Sequence, residues 1–145
     1  MKTGLALSSG GALGAAHIGV IESLEQNNIK IDIISGSSAG AIVGLLYAAG
    51  GMELIDEFFR EITESGIFNV KNILKSPRPD LIFAKVEQVL RKIVKVSSFD
   101  ELKIPLVCVS TDLATGEVKS FTSGVPIKCT MASAAYPGVF PTQII

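Results

Sequence analysis

The chain has 145 residues, 48% of them hydrophobic and 19% charged, enough to bury the core of one domain and too apolar for a disordered tail. Thirteen Lys and Arg against 14 Asp and Glu give a net charge of −1, without the basic excess of a nucleic-acid binder. Two cysteines, Cys108 and Cys129, and one histidine, His17, exclude a disulfide framework, a four-ligand zinc site and a His-rich metal centre, and they fit a reducing, cytoplasmic compartment.

The N-terminus lacks the long apolar core and cleavage site of a signal peptide. Leu5 to Leu7 reads as a short strand that stops at the glycine cluster Gly10-Gly11-Ala12-Leu13-Gly14. Leu13, Ala16, His17, Val20, Ile21 and Leu24 then recur at helical spacing, with Glu22 and Glu25 opposite and Asn27-Asn28 as the stop. The uncharged stretch from Ile33 to Met52 has the length of a membrane span but is punctuated by glycine and serine. It reads instead as the end of a buried strand over Ile31–Ile34, a tight turn at Gly36–Gly40 and a buried helix over Ala39–Ala49.

Leu54, Ile55, Phe58, Phe59 and Ile62 mark an amphipathic helix, and Ser65 to Asp80 a long surface connection. A helix carries Val86, Val89, Leu90, Ile93 and Val94 inside a basic surround of Lys85, Arg91, Lys92 and Lys95, and Ser98 to Glu101 has capping-box spacing. Leu106–Ser110 and Val118–Thr122 read as strands joined by a turn over Asp112–Glu117, and Pro126–Ala135 as a helix with proline in its first turn. Strands alternating with helices predict a parallel sheet in a single domain, 1–145, with no internal repeat.

Gly36-Ser37-Ser38-Ala39-Gly40 is a G-x-S-x-G pentapeptide between a predicted strand and a predicted helix, the context a nucleophile elbow needs. A serine on such a turn takes strained backbone angles, and Gly36 and Gly40 remove side chains that would clash. Ser38 Oγ would stand at the positive end of the next helix, with the Ala39 N–H aimed at the oxyanion formed when Ser38 attacks a carbonyl. The plainer alternative is a turn that packs a helix closely onto a sheet.

The stretch Ser9 to Gly14 has neither dinucleotide-binding nor P-loop spacing. It leaves free backbone N–H groups at a helix start, an anion site that becomes a candidate oxyanion loop one βα unit before the elbow. His17 precedes Ser38 and sits on the apolar helix face, so it reads as a packed helix residue and a Ser-His-Asp triad is excluded. Asp112 is a weak candidate base, since a turn there uses its carboxylate to cap its own backbone.

Together these residues resemble the patatin-like phospholipase family. The resemblance runs through LALSSGGALGAAHIGVIESLE at Leu5–Glu25, the elbow, IPLVCVSTDLATGEVKSF at Ile104–Phe121 and ASAAYPGVFP at Ala132–Pro141. It implies a three-layer α/β/α fold with a mainly parallel central sheet. It also implies a serine acyl-ester hydrolase of phospholipase A or lysophospholipase type, acting on lipid or small esters through a Ser-Asp dyad, with no metal or cofactor. By position, Ser38 is the nucleophile, Gly10, Gly11 and Ala39 supply the oxyanion N–H groups, and Gly36 and Gly40 are the elbow glycines.

Ser9 and Leu13 replace the first glycine and the basic residue of the family's loop. The family's Asp-Gly-Gly or Asp-Gly-Ala motif does not occur before Ile145, so the C-terminal part of the family's domain is expected to be missing. The alternatives are a non-catalytic α/β fragment or anion-binding module, and a site completed through Asp112 by pairing of two chains. Peripheral membrane contact through the 54–62 stripe or the 85–95 helix is weighed against core packing and a solvated face. The strand-like stretch Val139–Ile145 is expected to leave a sticky edge that favours self-association.

Overall fold

A computed structural model describes residues 2–66 and 78–145. Four strands lie in the order β1 (Gly4–Leu7), β2 (Ile33–Ser37), β3 (Leu106–Thr111) and β4 (Val118–Phe121). β1 pairs with β2 in parallel from Gly4 opposite Ile33 to Leu7 opposite Gly36. β2 pairs with β3 in parallel from Ile34 opposite Leu106 to Ser37 opposite Val109. β4 runs back along β3, with Cys108 opposite Phe121 and Thr111 opposite Val118. The sheet is mainly parallel, as the alternation of predicted elements requires.

β2 begins and ends later than the predicted Ile31–Ile34. Ladders on both of its sides carry the strand through Gly36 and Ser37, residues with little strand preference of their own. Side chains alternate across the sheet: Leu7, Ile34, Gly36, Leu106 and Cys108 are buried on one face, whereas Ile33 on the other is 44% exposed.

The helices are α1 (Ala16–Gln26), α2 (Ala39–Gly50), α3 (Met52–Glu64), α4 (Pro79–Ile93) and α5 (Pro126–Ala134). α2 packs across β1, β2 and β3, and α5 packs on β2 and β3. α2 is apolar all round and buries Ala41, Val43, Leu45, Leu46 and Ala48, as a helix enclosed by sheet and other helices should. At Gly44 a Cβ would come within 3.1 Å of Ile34 Cγ2 and 3.2 Å of Leu106 Cδ1, so the missing side chain lets α2 lie close on the sheet.

The first helix departs from its predicted phase. A 3-10 turn over Gly11–Ala15 precedes α1, and its tighter winding offsets the stripe read from Leu13 onward. Leu13 is 83% exposed and Val20 49%, while Ile21 is buried with Ile18 and Leu24 packed beside it. Tyr47 on α2 donates to Glu25 Oε1 on α1 at 2.8 Å and joins the two helices. Asn27 ends α1 as expected, its side chain donating to the Ser23 carbonyl.

α3 turns Ile55, Phe58 and Ile62 into the core, and α4 buries Phe83, Val89, Leu90 and Ile93. The 54–62 stripe is therefore core packing. The charges of the 85–95 helix are solvated and paired, with Arg91 on Glu87 and Lys92 on Glu61 of α3. No described helix is long and apolar enough to cross a membrane. The connection predicted over Ser65–Asp80 lies mostly outside the described residues, and its last two residues already belong to α4, which opens with proline at its first turn.

The strand-like reading of Val139–Ile145 is not met, because these residues form no strand. Phe140 instead stacks on Phe83 of α4, ring centroids 5.1 Å apart, and that contact draws the segment onto the helical layer.

Candidate active site

Ser38 sits at the junction of β2 and α2 with φ 53 and ψ −119, a left-handed conformation that among non-glycine described residues only Asn28 shares on the φ axis. Such a backbone costs on the order of 1–3 kcal/mol and persists only where its surroundings fix it. The surroundings here do. A Cβ on Gly36 would meet the Gly40 carbonyl oxygen at 2.5 Å and Ala41 Cα at 2.6 Å, and one on Gly40 would strike the carbonyls of Leu7 and Ser8. The Ser38 carbonyl accepts from Ala41 and Ile42, starting α2. The Ser38 N–H donates to Ser133 Oγ on α5 at 2.8 Å.

The glycine loop follows β1 directly. Gly10 is extended, and Gly11 adopts φ +53 with open space around its missing Cβ, a conformation suited to glycine. Loop and elbow touch at two points, where Gly40 backs onto Leu7 and Ser8 and where Gly14 backs onto Ala39. The side chain of His17 reaches back, its Nε2 donating to the Ser8 carbonyl at 2.8 Å. His17 is thus a tether of the loop as well as a helix residue. No acceptor among the described residues takes the N–H of Gly10, Gly11 or Ala39.

A cleft of about 980 Å³ opens over the elbow, with Ser9, Ser38, Val109, Asp112, Ser133 and Tyr136 among its lining residues. Gly10, Gly11 and Ala39 lie beside this lining rather than in it. Leu113, Val118, Tyr136 and Ile144 give the cleft exposed apolar walls, a surface compatible with an acyl chain.

No group among the described residues hydrogen-bonds Ser38 Oγ. Asp112, the one acid among the described residues lining the cleft, spends its Oδ1 on the N–H groups of Ala114 and Thr115, at 2.9 and 3.3 Å. Its backbone closes the same turn through Glu117 and Gly116. The capping role read from the sequence is the one it performs. Beneath the site, Cys108 is buried against Thr130, and burial pushes its thiol up to about 11; burial also raises Cys129. Both sulfurs are therefore neutral thiols near neutral pH.

Ser133 is the residue that sequence reasoning missed. It lies 95 positions from Ser38 near the end of α5, within the Ala132–Pro141 stretch of the family resemblance, and nothing in that stretch points to Ser38 as its partner.

A family model described as patatin-like phospholipase matches residues 5–145. An uncharacterized NTE family protein of Mycobacterium tuberculosis is 37% identical over 95% of this chain, which spans 38% of that relative's length. The lysophospholipase NTE1 of Mycosarcoma maydis is 30% identical over 99% of the chain, which spans 8% of it. Among solved structures, ExoU of the ExoU–SpcU complex of Pseudomonas aeruginosa matches with TM-score 0.58 and 21% identity, over 95% of this chain and 37% of that one. At that identity the likeness speaks for the fold.

Proposed function

This chain belongs to the patatin-like phospholipase family, and from that premise we propose that Ser38 is the nucleophile of a lipid acyl-ester hydrolase, of phospholipase A or lysophospholipase type. The observation that carries the proposal is the left-handed Ser38 at the start of α2, with the glycine loop held against its neighbour Ala39. Ser38 Oγ attacks the ester carbonyl, the carbonyl oxygen becomes an oxyanion, and the N–H groups of Gly10, Gly11 and Ala39 receive it. Collapse of the tetrahedral species expels the alcohol and leaves an acyl-serine, which water then hydrolyses.

The proton of Ser38 needs an acceptor. In the family that role falls to the aspartate of an Asp-Gly-Gly or Asp-Gly-Ala motif after the P-G-x-F-P segment, which here is Pro137–Pro141. Asp112 is disfavoured because its Oδ1 caps its own turn and no hydrogen bond joins it to Ser38. The apolar walls of the cleft support a lipid or small-ester acyl group, and docking from the water side of a membrane follows as the setting for a phospholipid substrate.

The absence of a partner for Ser38 Oγ among the described residues favours a second reading, an anion-binding module without chemistry. Fatty-acid release from lysophosphatidylcholine separates the two. The hydrolase reading expects release that falls by about 10³-fold or more in Ser38→Ala. Release that survives the substitution overturns Ser38 as nucleophile. Phosphate binding without release by the folded protein supports the module.

A further inference from the structure

The Ser38 N–H, turned by its left-handed backbone, finds its acceptor in Ser133 Oγ at 2.8 Å, and that hydroxyl donates its own hydrogen to the Val109 carbonyl on β3. The direction of this chain is fixed at both ends, because an amide can only donate and a carbonyl can only accept. One hydroxyl on α5 thus ties the elbow of β2 and α2 to the adjacent strand. The rest of α5 does not need it for anchorage, since Pro126, Ile127, Cys129, Thr130 and Met131 are all buried. Two consequences follow. The Ser38 amide is already engaged, so the elbow's contribution to an oxyanion comes from Ala39. The bond also resists relaxation of Ser38 out of its left-handed angles.

We infer that Ser133 is the positioning residue of the elbow, holding Ser38 through its backbone amide rather than touching substrate. The hydrogen bond stands by itself; its functional consequence rests on the reading of Ser38 as nucleophile. The test compares the wild-type chain with Ser133→Ala and Ser133→Thr, which keeps the hydroxyl. Three quantities are read: amide hydrogen exchange at Ser38 by NMR, melting temperature, and the rate of fluorophosphonate labelling at Ser38.

The inference expects exchange at Ser38 to rise about tenfold in Ser133→Ala, and labelling to fall about tenfold, with both restored in Ser133→Thr. Unchanged Ser38 exchange in a folded Ser133→Ala protein overturns it, even if the melting temperature drops. Should the wild-type chain fail to label, the nucleophile reading falls while the exchange measurement still decides the role of Ser133. If Ser133→Ala does not fold, Ser133→Cys, which fills the space but accepts weakly, undergoes the same measurements with the same two outcomes.

Discussion

Gly14 and Ala39 meet back to back: a Cβ built on Gly14 would fall 2.5 Å from the Cβ of Ala39. The glycine loop and the nucleophile elbow, read from the sequence as separate motifs, are one packed unit at this point. Any side chain on Gly14 must push the loop off the residue whose N–H is assigned to the oxyanion. Gly14→Ala is expected to cost about 1–3 kcal/mol by overpacking and to slow Ser38 labelling more than the loss of stability explains. Denaturant melts and labelling rates on the folded fraction check this.

The backbone strain at Ser38 predicts different behaviour for two substitutions. Ser38→Ala removes the hydroxyl but keeps the left-handed Cβ, so melting temperature should stay within about a degree or two. Ser38→Gly relieves the strain, offset in part by extra freedom of the unfolded chain, and should raise stability by up to about 1–2 kcal/mol. A calorimetric scan of both variants decides it, and a Ser38→Gly protein less stable than Ser38→Ala would contradict the strained elbow.

His17 holds the Ser8 carbonyl from a helix that follows the loop. His17→Ala should cost about 1 kcal/mol or less of global stability. Its larger effect is expected locally, as faster hydrogen exchange across residues 8–15 and slower labelling of Ser38. Equal exchange in that segment would show that the loop is held without the tether.

Alkaline pH tests two buried groups. Burial pushes the Cys108 thiol up to about 11, and burial with the Glu25 bond pushes the Tyr47 phenol up to about 12. A group whose folded pKa is raised favours the folded state while it stays protonated, and that stability is lost as pH climbs from its unfolded toward its folded value. Stability should therefore decline from about pH 9 through 12, first through Cys108 and then through Tyr47. Cys108→Ala should flatten the earlier part of the decline and Tyr47→Phe the later part, read from urea midpoints across that range.

The elbow was legible because its signal is local: two glycines flank a serine, and each glycine is needed against a nearby backbone atom. The phase of α1 was not, since a 3-10 turn over Gly11–Ala15 shifts the register and leaves Leu13 in solvent. β2 reads short because Gly36 and Ser37 join the sheet through ladders on both sides, which residue preference does not show. The bonding role of Ser133 stayed invisible because its partners, Ser38 and Val109, are 95 and 24 positions away. The Val139–Ile145 stretch has strand-like residues, yet the stacking of Phe140 on Phe83 places it elsewhere.

The central claim is that Ser38 is a nucleophile held in an oxyanion-forming elbow. Mass spectrometry after exposure to a fluorophosphonate tests it most directly, with Ser38→Ala as control. The account predicts one adduct, confined to the peptide that carries Ser38 and absent from the control. A folded chain that takes up no adduct, or takes it up on another serine, would contradict the claim.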